Sequence, residues 1–301
     1  MIPPSLVSII IPCYNQALFL AEAIESALHQ TYGSVEIIVV DDGSTDTTSH
    51  IAKSYTKVHY IRQANRGVTS ARNVGLKVSR GDYVLFLDAD DRLLSNAIEE
   101  GVKSLELNSD YALAFGTFHM IDIDGNRKGE PHFFELRPYG FNDFLEKNLI
   151  GNPGVALHRK QALLAVDGFD LENQAAGDYD LYLRITKLFP ITCHTQTVLE
   201  YRRHGGNMSD NPAIMLSGCL GALKKQWKTI KVDPTLRASY YRGLSHWKQY
   251  YGEQIVFKLY EHLALRSWSN LLRNFAQLLI NYPERLTKGI GNKFRLLHMK
   301  R

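Results

Sequence analysis

A chain of 301 residues with 45% hydrophobic and 22% charged side chains can bury one large core or two ordinary ones, which excludes a fibrous or wholly disordered protein. The formal charge of +4 conceals an asymmetry: residues 211–301 carry sixteen Lys and Arg against four Asp and Glu, or +12, so residues 1–210 carry nineteen against twenty-seven, or −8. No apolar run approaches the roughly 20 residues that a spanning helix needs, so an acidic body joined to a basic tail is expected to stay out of the bilayer core.

Cys13, Cys193 and Cys219 are scattered, odd in number and without metal-ligand spacing, which fits buried thiols in a reducing compartment. The start, Met1-Ile2-Pro3-Pro4-Ser5, has neither a basic n-region nor a small-residue cleavage site, so no signal peptide is expected and the expected location is the cytoplasm.

In chain order, Val7 to Ile11 reads as a buried strand stopped by Pro12, and Leu18, Ala21, Ile24 and Leu28 recur at helical spacing after it. Val35 to Val40 is a second strand ending on Asp41-Asp42-Gly43-Ser44, where the glycine supplies a turn and Ser44 a cap for a helix over about 45–55. Val58 to Arg62 is a third strand, and Gly67 leads into a helix over about 69–78. Tyr83 to Leu87 is a fourth, buried on both faces, and a helix over about 96–107 follows it. Strands alternating with helices of 10 to 12 residues predict βαβ units and a parallel sheet, with ligands bound beyond the carboxyl ends of the strands. Beyond residue 110 the pattern changes: strands of mixed direction near Tyr111 to Phe118 and Val155 to His158, an Asp124-Gly125 hairpin turn, an amphipathic helix from Asp178 to Leu188, and an edge-like alternation from Ile191 to Tyr201. From Asn211 onward the pattern is helical, punctuated by Pro234 and Pro283.

The chemistry concentrates where the fourth strand ends on Asp88-Ala89-Asp90-Asp91. Three carboxylates within four positions are costly to bury unless a cation meets them, and hard oxygen ligands suit Mg²⁺ or Mn²⁺. The competing reading is an acidic turn that caps the next helix.

These pieces, in order, resemble family 2 glycosyltransferases of the GT-A fold. The matching stretches are Val7 to Asn15, Val39 to Asp46, Asn65-Arg66-Gly67 with Ser70 to Gly75, Phe86 to Asp91, Arg159-Lys160 with Gly168-Phe169-Asp170, Gly177 to Arg184, and Tyr201-Arg202-Arg203-His204 with Asn207 and Ser209. The resemblance covers residues 5–210 and implies an α/β catalytic domain over 1–210, with a nucleotide half to about 110 and an acceptor half after it; the basic helical region over 211–301 lies outside it. It further implies an inverting, metal-dependent transfer of a hexose from a nucleotide diphosphate, UDP favoured, to a hydroxyl in surface polysaccharide or lipid-linked glycan synthesis.

Pro12, Tyr14, Asn15 and Asp42 offer a platform and polar groups for the nucleotide, Asp42 by analogy accepting the uracil N3 hydrogen; otherwise Asn15 and Asp42 only bond loop backbone. Asp90 and Asp91 are the leading metal ligands, with Asp88 near the ribose or just behind those ligands, although the family's metal-binding carboxylate varies in position within this motif, and His204 resembles a histidine that reaches the metal or diphosphate. Asp178 resembles the catalytic base, ionised at an ordinary pKa of about 3.9, although Gly177-Asp178 stands where the family usually has Glu-Asp. Arg72 and Asn73 are expected to position groups, Arg72 by pairing with the acidic strand ends, and Asp180 to hold backbone or Arg184.

The basic helices with Trp227, Trp247, Tyr250, Tyr251, Trp268 and Phe275 either pack as core, lie on an anionic membrane surface or bind a partner chain, with Lys288 to Arg301 most like a membrane-surface element. Nucleic acid is not an expected partner of an acidic body. Two readings rival it: an inactive sugar-nucleotide-binding scaffold, and a nucleotidyltransferase, which calls for a Gly-rich basic loop that Pro12-Cys13-Tyr14-Asn15 lacks.

Overall fold

The computed structural model describes residues 4–131 and 133–264. Among the described residues nine strands form one sheet: β1 Val7–Cys13, β2 Val35–Asp41, β3 Val58–Arg62, β4 Tyr83–Phe86, β5 Arg92–Leu93, β6 Leu113–Ile121, β7 Arg127–Lys128, β8 Ala156–Arg159 and β9 Thr192–Arg202. The helices are α1 Leu20–Leu28, α2 Thr48–Ser54, α3 Val68–Val78, α4 Ala97–Glu106, α5 Phe141–Glu146, α6 Lys160–Ala165, α7 Gly177–Leu188, α8 Pro212–Ile230 and α9 Pro234–Ala264.

The sheet order is β3-β2-β1-β4-β8-β6-β9-β5, with β7 paired to β6. β3, β2, β1 and β4 are parallel; the buried apolar runs of β2, β1 and β4 place them inside a covered sheet, while β3, only partly buried, forms its edge. β8 runs antiparallel to both β4 and β6, so the second half reverses direction where the sequence loses its βαβ rhythm. α1 buries Leu20, Ala23, Ile24 and Ala27, one face of a helix.

Three expectations are corrected. β1 runs through Pro12 to Cys13 instead of stopping at the proline. Cys13 faces β2, where its carbonyl accepts from Asp42 N, so the missing Pro12 N–H falls on the β4 side, beyond the last paired residues Ile10 and Phe86. β9 is not an edge strand: it lies between β6 and the two-residue β5, which pairs Arg92 with Glu200 and Leu93 with Leu199. A two-residue strand leaves no periodicity to read. The helix expected from residue 45 begins at Thr48, because residues 44–47 form a turn in which Ser44 N donates to Asp41 Oδ1.

The chain divides into two compact units, the first holding Met1–Phe144 and Asn148–Gly205, the second Leu145–Lys147 and the chain from Gly206 onward. In the second, Asn211 caps α8 by accepting from Ile214 N, and Asp233 Oδ1 accepts from Thr235 N and Leu236 N at the start of α9. Glu146 Oε1 accepts from Arg242 Nη2 and Ser239 Oγ, tying the short 145–147 segment to α9. Trp227 lies 5.2 Å from Tyr240, and Trp247 stacks on Tyr251 at 5.7 Å. Among the described residues no helix is long and apolar enough to cross a membrane. Pro283, Trp268, Phe275 and Lys288 to Arg301 lie outside the described residues.

Candidate active site

The carboxyl ends of β1 and β2 lie side by side, Cys13 opposite Asp41. Asn15 adopts a left-handed φ of 52°, which asparagine tolerates, and its Oδ1 accepts from Thr45 N at 2.8 Å while its own N–H donates to Ser44 Oγ at 2.9 Å. Tyr14 stays exposed beside it and Pro12 is buried. Asp41 is wholly buried and accepts from Ser44 N and from Tyr60 Oη at 2.6 Å, so it braces the turn. Asp42 Oδ1 accepts from Gln63 Nε2 at 2.6 Å and Arg66 N at 2.8 Å, and Oδ2 accepts from Gly67 N at 2.7 Å. A carboxylate that accepts the N–H groups of Arg66 and Gly67 fixes the loop that leads into α3, and its charge suits the dipole of that helix.

α3 and α7 meet at their N-terminal ends. A Cβ on Gly177 would stand 2.6 Å from Thr69 Cγ2, so the glycine that stands where the family usually has Glu permits this close approach. Gly67, with φ +90°, is covered by the Gln174 side chain, whose Oε1 accepts from Thr69 N at 3.3 Å. The contact brings Asp178, in the first turn of α7, close to Arg72 on α3. Arg72 is 6% exposed, donates from Nη2 to Asp88 Oδ1 at 2.6 Å, and lies over the Phe169 ring at 5.2 Å. Burial works against its charge, but Asp88 and Asp178 together hold its pKa above the usual value. Asn73 clamps Phe169 from both sides, Nδ2 donating to its carbonyl and Oδ1 accepting from its N–H, each at 2.8 Å. Arg184 Nε donates to Asp180 Oδ2 at 2.8 Å, so Asp180 faces along α7 rather than toward Asp178.

Burial pushes the Asp178 pKa up; Arg72 pulls it back and Asp88 adds to the rise. Beneath it, one turn along α7, Tyr182 is buried, its pKa driven well above the usual value by burial and then by Asp178. Its ring stacks on His158 at 6.0 Å, a histidine kept neutral by a burial that lowers its pKa to about 4.

The third group lies after Asp88. Asp90 Oδ2 and His204 Nε2 are 2.9 Å apart, both half-buried, and the imidazole packs on Phe19 at 5.0 Å. Burial, then the neighbouring Asp88 charge, raises the Asp90 pKa, against the opposing pull of His204. Asp91, expected beside Asp90 as a metal ligand, is instead 1% exposed, and its oxygens accept from Arg202 N at 2.8 Å and Asn152 Nδ2 at 2.7 Å. It bonds the end of β9 to the 3₁₀ turn Pro153–Val155 that Asn152 caps. Among the described residues no three His, Cys, Asp or Glu side chains are gathered so as to hold an ion, so Asp90, Asp91 and His204 do not form a closed ligand set. Asp90 and His204 still present a hard oxygen and an imidazole nitrogen side by side, donors that fit Mn²⁺ or Mg²⁺ when water and phosphate oxygens complete the shell. Sequence reasoning passed over Arg202, Asn152, Gln63 and Gln174; the first stood inside the Tyr201 to His204 match, while the others carry no local signal.

The sequence model described as "Glycosyl transferase family 2" matches residues 8–168, more than half of the chain. The chain belongs to glycosyl transferase family 2. This family 2 protein is 30% identical over 213 residues to chondroitin synthase of Escherichia coli, covering 68% of this chain and 30% of that protein. It spans only 30 to 34% of the length of that relative and of three uncharacterized rickettsial glycosyltransferases. Its fold is similar to S. aureus TarS 1–349 in complex with UDP-GlcNAc, with TM-score 0.62, 18% identity, 88% of this chain and 89% of that chain. It is also similar to the mannosyltransferase PcManGT of Pyrobaculum calidifontis in complex with GDP-Man and Mn²⁺, with TM-score 0.62, 15% identity, 93% of this chain and 87% of that one. The curled α/β sheet with its flanking helices is thus of GT-A type, and the C-terminal helices accompany it.

Proposed function

We propose that this glycosyltransferase moves a hexose with inversion from a nucleoside diphosphate, UDP favoured, to a hydroxyl of a glycan or lipid-linked acceptor in cell-surface polysaccharide synthesis. The observation that carries the reading is the gathering of Asp88, Arg72 and Asp178, from three segments, beside the Asp90–His204 pair. Asp178 takes the proton of the acceptor hydroxyl as that oxygen bonds to the anomeric carbon; the bond to phosphate breaks on the opposite face, and UDP leaves with the electron pair. Its raised pKa moves it toward neutral pH, where a general base is most effective, and Arg72 opposes that rise. Asp90 and His204, with Asp88 adjacent, would hold a Mn²⁺ or Mg²⁺ ion, which would supply a Lewis acid for the diphosphate.

Asp42 uses three of its roughly four lone-pair sites on Gln63, Arg66 N and Gly67 N, which leaves one for a base edge above Tyr14 and Asn15. UDP release from UDP-sugars with Mn²⁺, and its loss in EDTA, tests the reading; turnover in EDTA equal to that in Mn²⁺ removes the role given to Asp90 and His204. UDP over dTDP or GDP is tested by the rise in Tm each gives with Mn²⁺. The basic residues of 211–301 support attachment to an anionic membrane surface on its cytoplasmic side. Co-sedimentation with phosphatidylserine vesicles is expected to fall on deletion of residues 285–301, and equal binding without them counts against it.

A further inference from the structure

Arg202 lies behind the Asp90–His204 pair, 1% exposed, and the reaction itself does not use it. Its Nε donates to the Asp90 carbonyl at 2.9 Å, its Nη1 to the Ile123 carbonyl at 2.8 Å, and its Nη2 to Glu22 Oε2 at 2.7 Å. Its backbone N–H holds Asp91 at 2.8 Å. The guanidinium carbon lies 4.9 Å from the centre of the Phe19 ring, the ring on which His204 also packs. One side chain therefore fixes the backbone of Asp90 through a bond and the His204 imidazole through a shared aromatic partner. The Arg fork suits this task because its donors lie in one rigid plane, which a Lys ammonium cannot reproduce.

A buried cation here has a second effect. Standing behind carboxylates that face a divalent ion, its charge competes with that ion unless an anion answers it. Glu22, on α1, is that anion, and Oε2 is shared with Arg92 Nη1 at 3.0 Å, which in turn pairs with Glu200 at 2.8 Å. Glu22 reaches neither Asp90 nor His204 directly; its action runs through Arg202.

We propose that Arg202 and Glu22 are positioning residues that set the affinity of the Asp90–His204 pair for a divalent cation, Arg202 by fixing both ligands and Glu22 by neutralising Arg202. The proposal rests on the reading of that pair as the cation site of the transferase.

The test uses the full chain and Mn²⁺ itself. The free Mn²⁺ electron paramagnetic resonance signal is titrated with wild type, Glu22→Gln and Arg202→Lys in saturating UDP, and UDP affinity is measured separately in EDTA. Loss of an outer-sphere partner weakens metal binding by about 10- to 100-fold. Glu22→Gln is expected near the lower end of that range and Arg202→Lys near the upper, with UDP affinity in EDTA unchanged. A role in packing alone lowers Tm and leaves Mn²⁺ affinity as it was, and that result in Glu22→Gln overturns the proposal. If Arg202→Lys fails to fold, the half-exposed Glu22 position decides by itself. Wild type that leaves the Mn²⁺ signal untouched overturns the cation site and this inference together, whereas Mn²⁺ binding by wild type and equal binding by Glu22→Gln overturns the inference only.

Discussion

Asp42 and Asp178 are acidic residues of one domain in opposite surroundings. Asp42, at the end of β2, is ringed by donors: two backbone N–H groups and one amide bind its oxygens, and it orders the approach to α3. Asp178, at the start of α7, shares a single arginine with Asp88 and lies within reach of that second negative charge, so burial and repulsion raise its pKa. Asp90 is raised for the same two reasons. A carboxylate ringed by donors shapes a loop; carboxylates whose pKa burial and a neighbouring negative charge raise are poised for a proton or cation from outside. The difference separates the part of the site that is built from the part that is left reactive.

The sharpest way to break the comparison is Asp178→Asn. Removing a general base is expected to lower transfer by about 10²- to 10⁴-fold with UDP affinity unchanged, read as UDP release against calorimetric binding. Retention of most activity removes Asp178 from the chemistry. Asp42→Asn is expected to act on stability first, because an amide turns a donor toward groups that donate. Losing hydrogen bonds to a charged acceptor costs on the order of 2–3 kcal/mol, measurable by urea denaturation. An unchanged midpoint means the 63–67 loop is held some other way.

The smallest effect comes from pH. A carboxyl whose folded pKa stands above its unfolded value binds its proton more tightly in the folded protein, so stability is lost as pH rises from the unfolded value through the folded one. Asp90, Asp91 and Asp178 all shift in that direction. Mn²⁺ relieves the repulsion only where these groups are ionised, so the Tm gain from Mn²⁺ is expected to be a few degrees larger at pH 7.5 than at pH 5. An equal gain at both values places the bound ion away from these carboxylates.

Much of the parallel half was legible in the residues. A strand buried on both faces reads as an unbroken apolar run, and β1, β2 and β4 each deliver polar residues where that run ends. Arg72 pairs with an acidic strand end as its charge and position led one to expect. The role of Asp91 was not legible, since adjacent aspartates look alike in sequence and only the arrival of Arg202 and Asn152 from distant segments separates them. β5 escaped notice because two residues have no period, and with it the interior position of β9.

Composition and pattern by themselves determined the alternation of strand and helix, the acidic body with its basic tail, and the order of acidic and glycine-bearing turns that resembles one enzyme family, because hydrophobic period and turn chemistry are local properties. Which carboxylate faces Arg72, which meets His204 and which is sealed by β9 was decided only in three dimensions. Those outcomes depend on close approaches such as Gly177 against Thr69 and on donors brought from far along the chain, and burial and neighbouring charge, which set the chemistry of an aspartate, exist only once the chain has folded.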